Sequence, residues 1–340
     1  MASKWPGQSW FIGHTELLLG PDAHNGVFSL MLLLGLTVLC LVFPCRYFLT
    51  ERDNPAPMVI GTVAAFCSIS FFLLTACTDP GFIPRQNGPF SEGPTQASRI
   101  DLVHEGQSRD FPVRGALVKV RYCITCCLYR PPRTSHCHKC DACVERFDHH
   151  CPWVGNCVGK RNYSYFLGFL LSTAAMAGFG IVVSCVHLQK LTEDKEQGSE
   201  SFDTASREAV PSWLVLLLCF PAFLFVTGLL CFHFYLLTLG KTTYERLKKS
   251  YKTYHPFSRN GPISYLRSVI CCQRTISLVK WRNSAGKRSD YVATSPASLA
   301  FRLRSFESPR SQTSLKTGQQ EQFGSGSNGL SDPHTADRSP

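Results

Sequence analysis

The sequence predicts an all-α polytopic membrane protein with four transmembrane helices and an irregular, cysteine-rich cytosolic domain that binds two zinc ions. Three observations lead to this fold class. Four long apolar blocks are separated by polar segments, the basic residues are concentrated in only some of those segments, and one stretch is dense in cysteine and histidine.

The four apolar blocks have the length and composition of membrane-spanning helices. They cover residues 27–49, 58–78, 165–188 and 212–240, with almost no charge inside them. An α-helix rises about 1.5 Å per residue, so about 20 residues cross the roughly 30 Å of bilayer hydrocarbon. The third block is rich in Gly, Ala and Ser, which allow helices to approach closely, so we expect this helix to lie centrally in the bundle.

The distribution of Lys and Arg orients these spans, because basic residues accumulate on the cytoplasmic side. Residues 79–164 hold 12 Lys and Arg and residues 241–340 hold 17, whereas residues 189–211 hold three against six acidic residues. We therefore expect a lumenal connector at 189–211. The segments expected in the cytosol are the N-terminal segment 1–26, the lead-in 79–120, the cysteine-rich domain 121–166, the proximal tail 241–283 and a disordered tail 284–340.

Several shorter features lie between the spans. The aromatic residues Trp5, Trp10 and Phe11 favour a membrane-surface position for the N-terminal segment. Asp79-Pro80-Gly81 is by itself a helix stop, and residues 82–120 show no clear period, which predicts an irregular lead-in.

Two further features follow the fourth span. Thr242 and Glu245 have the spacing of a capping box at the start of a new helix, which is expected to run to Lys249. Cys271 and Cys272 form a juxtamembrane pair that is compatible with S-acylation and with free thiols alike.

The stretch from Cys123 to Phe166 holds eight cysteines and four histidines. In a domain that faces the reducing cytosol, paired CxxC spacings indicate metal ligands rather than disulfides. Structural zinc takes four thiolate or imidazole ligands in a tetrahedron, and this stretch holds enough of them for two sites. Spacing alone does not decide which ligand joins which ion.

Two sites of four ligands leave a cysteine and a histidine for other chemistry. Asp148-His149-His150-Cys151 offers both, together with a carboxylate. A thiolate is a strong nucleophile, an imidazole can accept its proton, and a carboxylate can orient the imidazole. The three groups would have to converge through an irregular turn, and the alternative is that Cys151 is another zinc ligand.

The stretch resembles the cysteine-rich domain of the DHHC family of protein S-acyltransferases, the palmitoyltransferases. The matching residues are Cys123, Arg130-Pro131, Arg133, His136-Cys137, Cys140, Cys143, Asp148-His149-His150-Cys151, Trp153, Asn156-Cys157, Gly159, Asn162 and Phe166. The resemblance extends to the four-span layout, to Asp79-Pro80-Gly81 and to Thr242-Thr243-x-Glu245.

The resemblance implies a ligand set for each of two structural Zn²⁺ ions. One ion would take Cys123, Cys126, His136 and Cys143, and the other would take Cys137, Cys140, His150 and Cys157. Cys127 then falls at a non-ligand position. Asp148, His149 and Cys151 would be left as the catalytic residues.

The implied reaction has two steps. Cys151 would attack the thioester of a fatty acyl-CoA such as palmitoyl-CoA, with His149 as base and Asp148 orienting it, and the acyl chain would then pass to a cysteine of a client protein. The implied partners are therefore palmitoyl-CoA, cysteine-containing clients and the lipid bilayer, with no nucleic acid. The basic residues proposed for the CoA phosphates are Arg130, Arg133, Lys160 and Arg161.

The family suggests an endomembrane location, the Golgi or the endoplasmic reticulum, with both termini cytosolic. A competing class is a non-catalytic membrane scaffold whose zinc module recruits partners. The presence of Asp148, His149 and Cys151 together argues against that class, because a scaffold has no need of a free thiolate there.

Overall fold

A computed structural model of the protein describes residues 7–12, 17–85, 108–113, 116–196, 202–250, 257, 277, 279–281 and 291–292. Four of its helices are long and apolar enough to cross a membrane, which confirms the predicted fold class. The first consists of α1 (Ala23–Cys40), a π-helical turn (Leu41–Cys45) and α2 (Arg46–Glu51). The others are α3 (Ala56–Cys77), α4 (Tyr163–Glu196) and α5 (Phe202–Leu239).

The π-helical turn in the first span coincides with Pro44. Proline has no backbone N–H and its ring clashes with the carbonyl one turn earlier, so the regular hydrogen-bond ladder is interrupted at this residue. Because the helix resumes at Arg46, the span bends without ending.

The predicted connector 189–211 is largely helical, since α4 continues to Glu196 and α5 begins at Phe202. At this end of the bundle the Arg52 guanidinium binds the Asp194 carboxylate, and the Tyr47 hydroxyl donates to the same carboxylate at 2.6 Å. These contacts tie the end of the first span to α4.

Helix α4 makes its largest contacts with α3 and α5, in agreement with its expected central position. Small residues allow this packing. A Cβ on Gly168 would lie 2.7 Å from the Phe71 ring, and a Cβ on Gly180 would lie 3.0 Å from the Cys219 Sγ. A larger side chain at either position would push the neighbouring helix away.

The cysteine-rich domain and the lead-in before it are built from short antiparallel strands joined by turns. The lead-in is not irregular throughout, because β4 (Ser108–Val113) pairs with β5 (Ala116–Cys123), which also pairs with β6 (Leu128–Tyr129). Along β5, Val118 and Val120 are buried while Leu117 and Lys119 are exposed, a period of two that marks a strand with one buried face.

Two smaller sheets carry the cysteine-rich stretch. Strand β8 (Ala142–Val144) lies between β3 (Phe82–Ile83) and β7 (Ser135–Cys137). Strand β9 (His149–Cys151) pairs with β10 (Asn156–Val158) across a 3₁₀ turn, Pro152–Val154. These pairings bring residues that are far apart in sequence into one layer above the helical bundle.

Asp79 does more than end α3. Its carboxylate is fully buried, accepts hydrogen bonds from the backbone N–H groups of Gly81 and Phe82 at 2.8 Å, and binds the Arg161 guanidinium at 2.7 Å. Asp79 therefore fixes the chain between α3 and β3 against the chain that leads into α4.

The N-terminal segment folds onto the cysteine-rich domain as a short hairpin of β1 (Trp10–Phe11) and β2 (Leu18–Leu19). Leu18 is fully buried, and Phe11 packs against the same cluster of residues. Trp10 remains 69% exposed, so of the two described aromatic residues only this one is free to meet a membrane surface. Trp5 lies outside the described residues.

The chain after α5 contains the predicted capping box. Helix α6 (Thr243–Leu247) begins where the Thr242 hydroxyl accepts from the Glu245 backbone N–H, and the Glu245 carboxylate accepts from the Thr242 N–H. The helix ends at Leu247, two residues before the expected Lys249. Further along, β11 (Lys280–Trp281) pairs with β12 (Tyr291–Val292), and β12 lies within the predicted disordered tail 284–340. The other residues of that tail, and Cys271 and Cys272 of the proximal tail, lie outside the described residues.

Candidate active site and metal clusters

Eight cysteine and histidine side chains gather into two groups in the cysteine-rich domain. Within each group the candidate ligand atoms all lie within 4.8 Å of one another. The groups are Cys123, Cys126, His136 and Cys143 in the first cluster and Cys137, Cys140, His150 and Cys157 in the second cluster. Each offers three thiols and one imidazole, a donor set that suits a tetrahedral zinc ion.

The strands explain how the ligands of the two clusters interleave. Successive side chains on a strand point to opposite faces, so His136 on β7 belongs to the first cluster and its neighbour Cys137 to the second. Tight turns then bring the members of each CxxC pair together. The residues after these pairs, Cys127 and Asp141, adopt φ values of 52° and 50°.

Cys127 lies outside both clusters, at the position where the resemblance places a bystander. Its thiol donates to the Ile124 carbonyl at 3.4 Å and it remains partly exposed. Cys127 is therefore a suitable control position for substitutions of the buried cysteines around it.

Asp148, His149 and Cys151 meet beside the second cluster. The Asp148 carboxylate contacts the His149 Nδ1 at 2.8 Å, and His149 also forms a hydrogen bond with the Cys151 thiol. No irregular turn is needed, because His149 and Cys151 are two residues apart on β9 and therefore share one face of the strand. His150 lies between them and points to the opposite face, towards the second cluster.

A helix start holds Asp148 in place. The backbone N–H of Thr243 donates to Asp148 Oδ1 at 2.9 Å, and the Tyr244 N–H donates to the Asp148 carbonyl at 3.2 Å. Asp148 is 2% exposed. Both carboxylate oxygens are thus occupied, one by the first turn of α6 and one by His149.

These contacts set the protonation of the pair. Burial raises the pKa of Asp148, but the hydrogen bonds from His149 and Thr243 outweigh it and the pKa lies below its usual range. Burial lowers the pKa of His149, but the hydrogen bonds with Asp148 and Cys151 reverse the effect and raise it to about 9. Asp148 is therefore ionised at neutral pH, and it stabilises the imidazolium form that His149 adopts when it accepts a proton.

The Cys151 thiol is 8% exposed and faces the helical bundle. It belongs to an apolar cluster at the domain side of the spans that includes Phe72 of α3, Leu170 of α4 and Leu230 of α5. Cys151 thus lies at the boundary between the strands of the cysteine-rich domain and the apolar interior of the bundle.

A buried histidine on α5 also belongs to this region. His233 is 1% exposed, its ring centroid lies 6.1 Å from that of His149, and its Nδ1 lies 3.1 Å from the Tyr163 hydroxyl. Sequence reasoning missed His233, although a histidine near the end of an apolar span is a signal, because polar side chains are rare inside membranes.

A basic cavity of about 380 Å³ opens on the domain, between β5 and α6. Its charged lining consists of Lys119, Arg121, Arg130, Arg133, Glu245 and Lys248. The Arg133 guanidinium is bound by Glu245 in a bidentate pair at 2.6 Å, whereas the buried Arg130 Nε has no hydrogen-bond partner among the described residues.

Two of the four basic residues proposed for the CoA phosphates lie elsewhere. Arg161 is bound by the buried Asp79, and the Lys160 ammonium lies 3.2 Å from the Glu145 carboxylate. Neither lines the cavity. Their charge suggested them as phosphate ligands, but the carboxylates that bind them, above all Asp79 at a distance of 82 positions from Arg161, could not be read from the sequence.

The comparisons with known proteins agree with this arrangement. A family model described as DHHC palmitoyltransferase matches residues 118–250. Palmitoyltransferase ZDHHC18 of Mus musculus is 37% identical over 311 residues, which cover 86% of this chain and 79% of the mouse protein. Protein S-acyltransferase 8 of Arabidopsis thaliana is 34% identical over 312 residues, 86% of this chain and 74% of the plant protein.

A third relative, palmitoyltransferase ZDHHC9 of Bos taurus, is 35% identical over 284 residues, or 79% of this chain and 75% of the bovine protein. These relatives are named as transferases, so the alternative of a non-catalytic scaffold is not favoured. Since these alignments run along most of both chains, the chain belongs to the DHHC family of palmitoyltransferases, and it is a protein S-acyltransferase.

Proposed function

We propose that Cys151 carries the acyl group, that His149 is the base that removes its proton, and that Asp148 orients His149. The observation that supports this assignment is that His149 and Cys151 share one face of β9, while the Asp148 carboxylate lies 2.8 Å from the His149 Nδ1. This is the arrangement of nucleophile, base and orienting carboxylate that activates a thiol.

The reaction proceeds in two balanced transfers. The Cys151 thiol gives its proton to His149, its sulfur attacks the thioester carbonyl of a fatty acyl-CoA, and the bond to the CoA sulfur breaks. His149 then gives the proton to the departing CoA thiolate. In the second transfer a client thiol loses its proton to His149 and attacks the acyl carbonyl, and Cys151 regains its thiol.

The fatty chain, palmitate or one of similar length, lies between the spans. The support is the apolar cluster around Cys151, to which Phe72, Leu170 and Leu230 contribute from three different helices. A chain bound to the Cys151 sulfur can extend into this region without contact with water. Burial of its methylene groups stabilises binding by about 0.8 kcal/mol each.

The CoA phosphates bind in the basic cavity between β5 and α6. Lys119, Arg121, Arg130 and Lys248 line it, and Arg130 has a buried Nε available for an oxygen ligand. Guanidinium and ammonium groups are the usual phosphate partners. Arg133 contributes charge to the cavity, while its pairing with Glu245 gives it a structural role as well.

The two clusters hold structural Zn²⁺ ions. The support is the match of each donor set, three thiols and one imidazole, to zinc, together with the closeness of the ligand atoms. When bound, zinc supplies structural rigidity and fixes the strands that carry His149 and Cys151. The chain itself has few other means to hold strands of two or three residues in place.

The site faces the cytosol of an endomembrane, the Golgi or the endoplasmic reticulum, and its clients are proteins with cysteines at that membrane surface. The support for the orientation is the concentration of Lys and Arg in residues 79–164 and 241–340. The support for the compartment is family membership alone.

Transfer of a labelled acyl chain tests the nucleophile and base. Purified full-length protein should take up label from labelled palmitoyl-CoA, and Cys151→Ser should take up none. His149→Ala should lose at least about 100-fold in labelling rate, the usual contribution of a general base. Cys127→Ser is the matched control, since its thiol lies in the same domain but outside both clusters, and it should label normally. Hydroxylamine-sensitive label on Cys151→Ser would refute the assignment.

A further inference from the structure

A carboxylate from outside the cysteine-rich domain contacts the second cluster. Asp22 Oδ2 lies 3.0 Å from His150 Nε2, and both side chains are largely buried, with 16% and 10% exposure. Asp22 precedes the first residue of α1 directly and lies outside residues 118–250, which the family model matches. Neither the sequence nor the comparisons assign it a role.

The geometry of the His150 ring defines what Asp22 can do. Its Nδ1 lies 3.4 to 3.7 Å from the three sulfurs of the second cluster, so this nitrogen faces the metal position and offers its lone pair. The proton of the neutral ring is then on Nε2, which donates to the Asp22 carboxylate. A carboxylate in this position fixes the tautomer and orientation of a ligating histidine and strengthens its donor nitrogen.

The N-terminal segment before Asp22 packs closely against the second cluster and holds Asp22 in this position. The Gln8 N–H donates to the Cys140 carbonyl at 3.0 Å, and Leu18 is fully buried among the cysteines of the second cluster. A Cβ on Gly20 would lie 1.8 Å from the Gly155 carbonyl oxygen, so only glycine allows this approach. The N-terminal segment thus reaches the second cluster at several points along its length.

The first cluster has no equivalent contact among the described residues. Its histidine, His136, has the Asp141 carboxylate at 3.7 Å from Nε2, beyond hydrogen-bond distance. Asp141 is bound by the Arg85 guanidinium instead. The two clusters therefore have the same donor set, but only the histidine of the second cluster has a carboxylate within hydrogen-bond distance of its Nε2 among the described residues.

We propose that Asp22 is the positioning residue that orients His150 as a ligand of the second zinc ion, and that it thereby couples the start of the first transmembrane span to that metal. The inference rests on the proposed zinc content of the clusters. Because His150 lies between His149 and Cys151 on β9, orientation of His150 also sets the strand that carries the reactive pair.

Metal retention and cluster-resolved thiol reactivity test this role in the full-length protein in detergent. Zinc is counted per chain, and its release to a chelator is followed over time while alkylation of each cysteine by N-ethylmaleimide is read by mass spectrometry. Asp22→Asn keeps the size of the side chain and removes its charge, and Asp22→Ala removes the contact. Asp141→Asn is the matched control at the first cluster.

We expect wild-type protein to hold two zinc ions and Asp22→Asn to release one of them at least about 10-fold faster. Removal of a carboxylate that orients a ligating histidine typically lowers metal affinity by about 10-fold to 100-fold. The newly reactive thiols should be Cys137, Cys140 and Cys157, with the first cluster still protected. The protection of the first cluster shows that the variant is folded. Asp141→Asn should leave the second cluster unchanged.

Unchanged release from both Asp22 variants, alongside two zinc ions in the wild type, would overturn the role of Asp22 alone. Simultaneous exposure of both clusters in Asp22→Asn would also overturn it, because the effect would then be general unfolding. Wild-type protein without zinc would instead overturn the metal proposal on which the inference rests.

Discussion

Thr243 contributes to the active site through its backbone rather than its side chain. Its N–H donates to Asp148 Oδ1, whereas its hydroxyl is buried without a hydrogen-bond partner among the described residues. The identity of the side chain at position 243 therefore says little about the chemistry, which depends on where α6 begins. Sequence reasoning identified the capping box but not the carboxylate that its first N–H would meet.

Substitution of Thr243 by proline isolates this hydrogen bond. Thr243 is the first residue of α6. Proline is tolerated at this position, because the N–H of the first helical residue makes no hydrogen bond within the helix. Thr242 already has the extended backbone that is required of a residue before proline. A hydrogen bond to a charged group is worth about 1.5 to 3 kcal/mol, so we expect Thr243→Pro to slow Cys151 acylation by roughly 10-fold to 100-fold. Single-turnover labelling with palmitoyl-CoA measures the rate.

Thr243→Ala is the control for that substitution, because it keeps the N–H and removes the unpartnered hydroxyl. It should label at nearly the wild-type rate. Equal rates in Thr243→Pro and Thr243→Ala would show that the hydrogen bond to Asp148 does not matter for acylation.

Helix α6 is short, and it is stabilised by contacts with residues distant in sequence rather than by hydrogen bonds within the helix alone. It has five residues, too few for a stable isolated helix, but Glu245 serves both the capping box and the pair with Arg133. The exposed fractions of the Arg133 and Glu245 side chains are 7% and 5%, so the pair is buried.

Removal of one partner of this buried pair should destabilise the fold. Glu245→Ala leaves the Arg133 guanidinium without its carboxylate, and the expected loss of unfolding free energy is about 3 to 5 kcal/mol. Lys190→Ala is the comparison, because the Lys190 and Glu193 side chains are 38% and 39% exposed, and an exposed pair is worth less than about 1 kcal/mol. Thermal unfolding in detergent measures both, and similar shifts in Tm would contradict the prediction.

The elements differ in how far the sequence predicts them. The spans were predictable because apolar length is a local property, and the capping box because it depends on two residues three positions apart. Strands β4 and β5 were missed, since the alternation of Val118 and Val120 was hidden in a segment rich in charge and proline. The contacts of Asp22 with His150 and of Arg161 with Asp79 join residues more than 80 positions apart, and local pattern carries no information on such pairs.

At the scale of the whole molecule, the charge distribution predicts the orientation of the chain in the membrane. Residues 189–211 carry three basic residues against six acidic ones, whereas the segments on the other side hold 12 and 17 basic residues. The same bias that orients the spans predicts that β9 and both clusters lie on the cytosolic side.

Glycosylation of inserted acceptor sequences tests this orientation. An Asn-x-Thr acceptor placed between residues 196 and 202 should be glycosylated, because only lumenal segments meet the transferase, and the same acceptor appended after Pro340 should not be. A gel shift that peptide glycosidase removes is the readout. Modification of the C-terminal acceptor would reverse the assignment of the active site to the cytosol.

The alternation of side chains along β9 also affects how inhibition of this enzyme should be interpreted. Cys151 and His149 face one side of a single strand, and His150, the proposed metal ligand, faces the other. A chelator or an oxidant that attacks the second cluster would displace the strand and stop turnover without reacting with Cys151. Loss of activity with such a reagent is therefore no measure of whether the catalytic thiol has been modified, and only direct mapping of the modified cysteine separates the two routes.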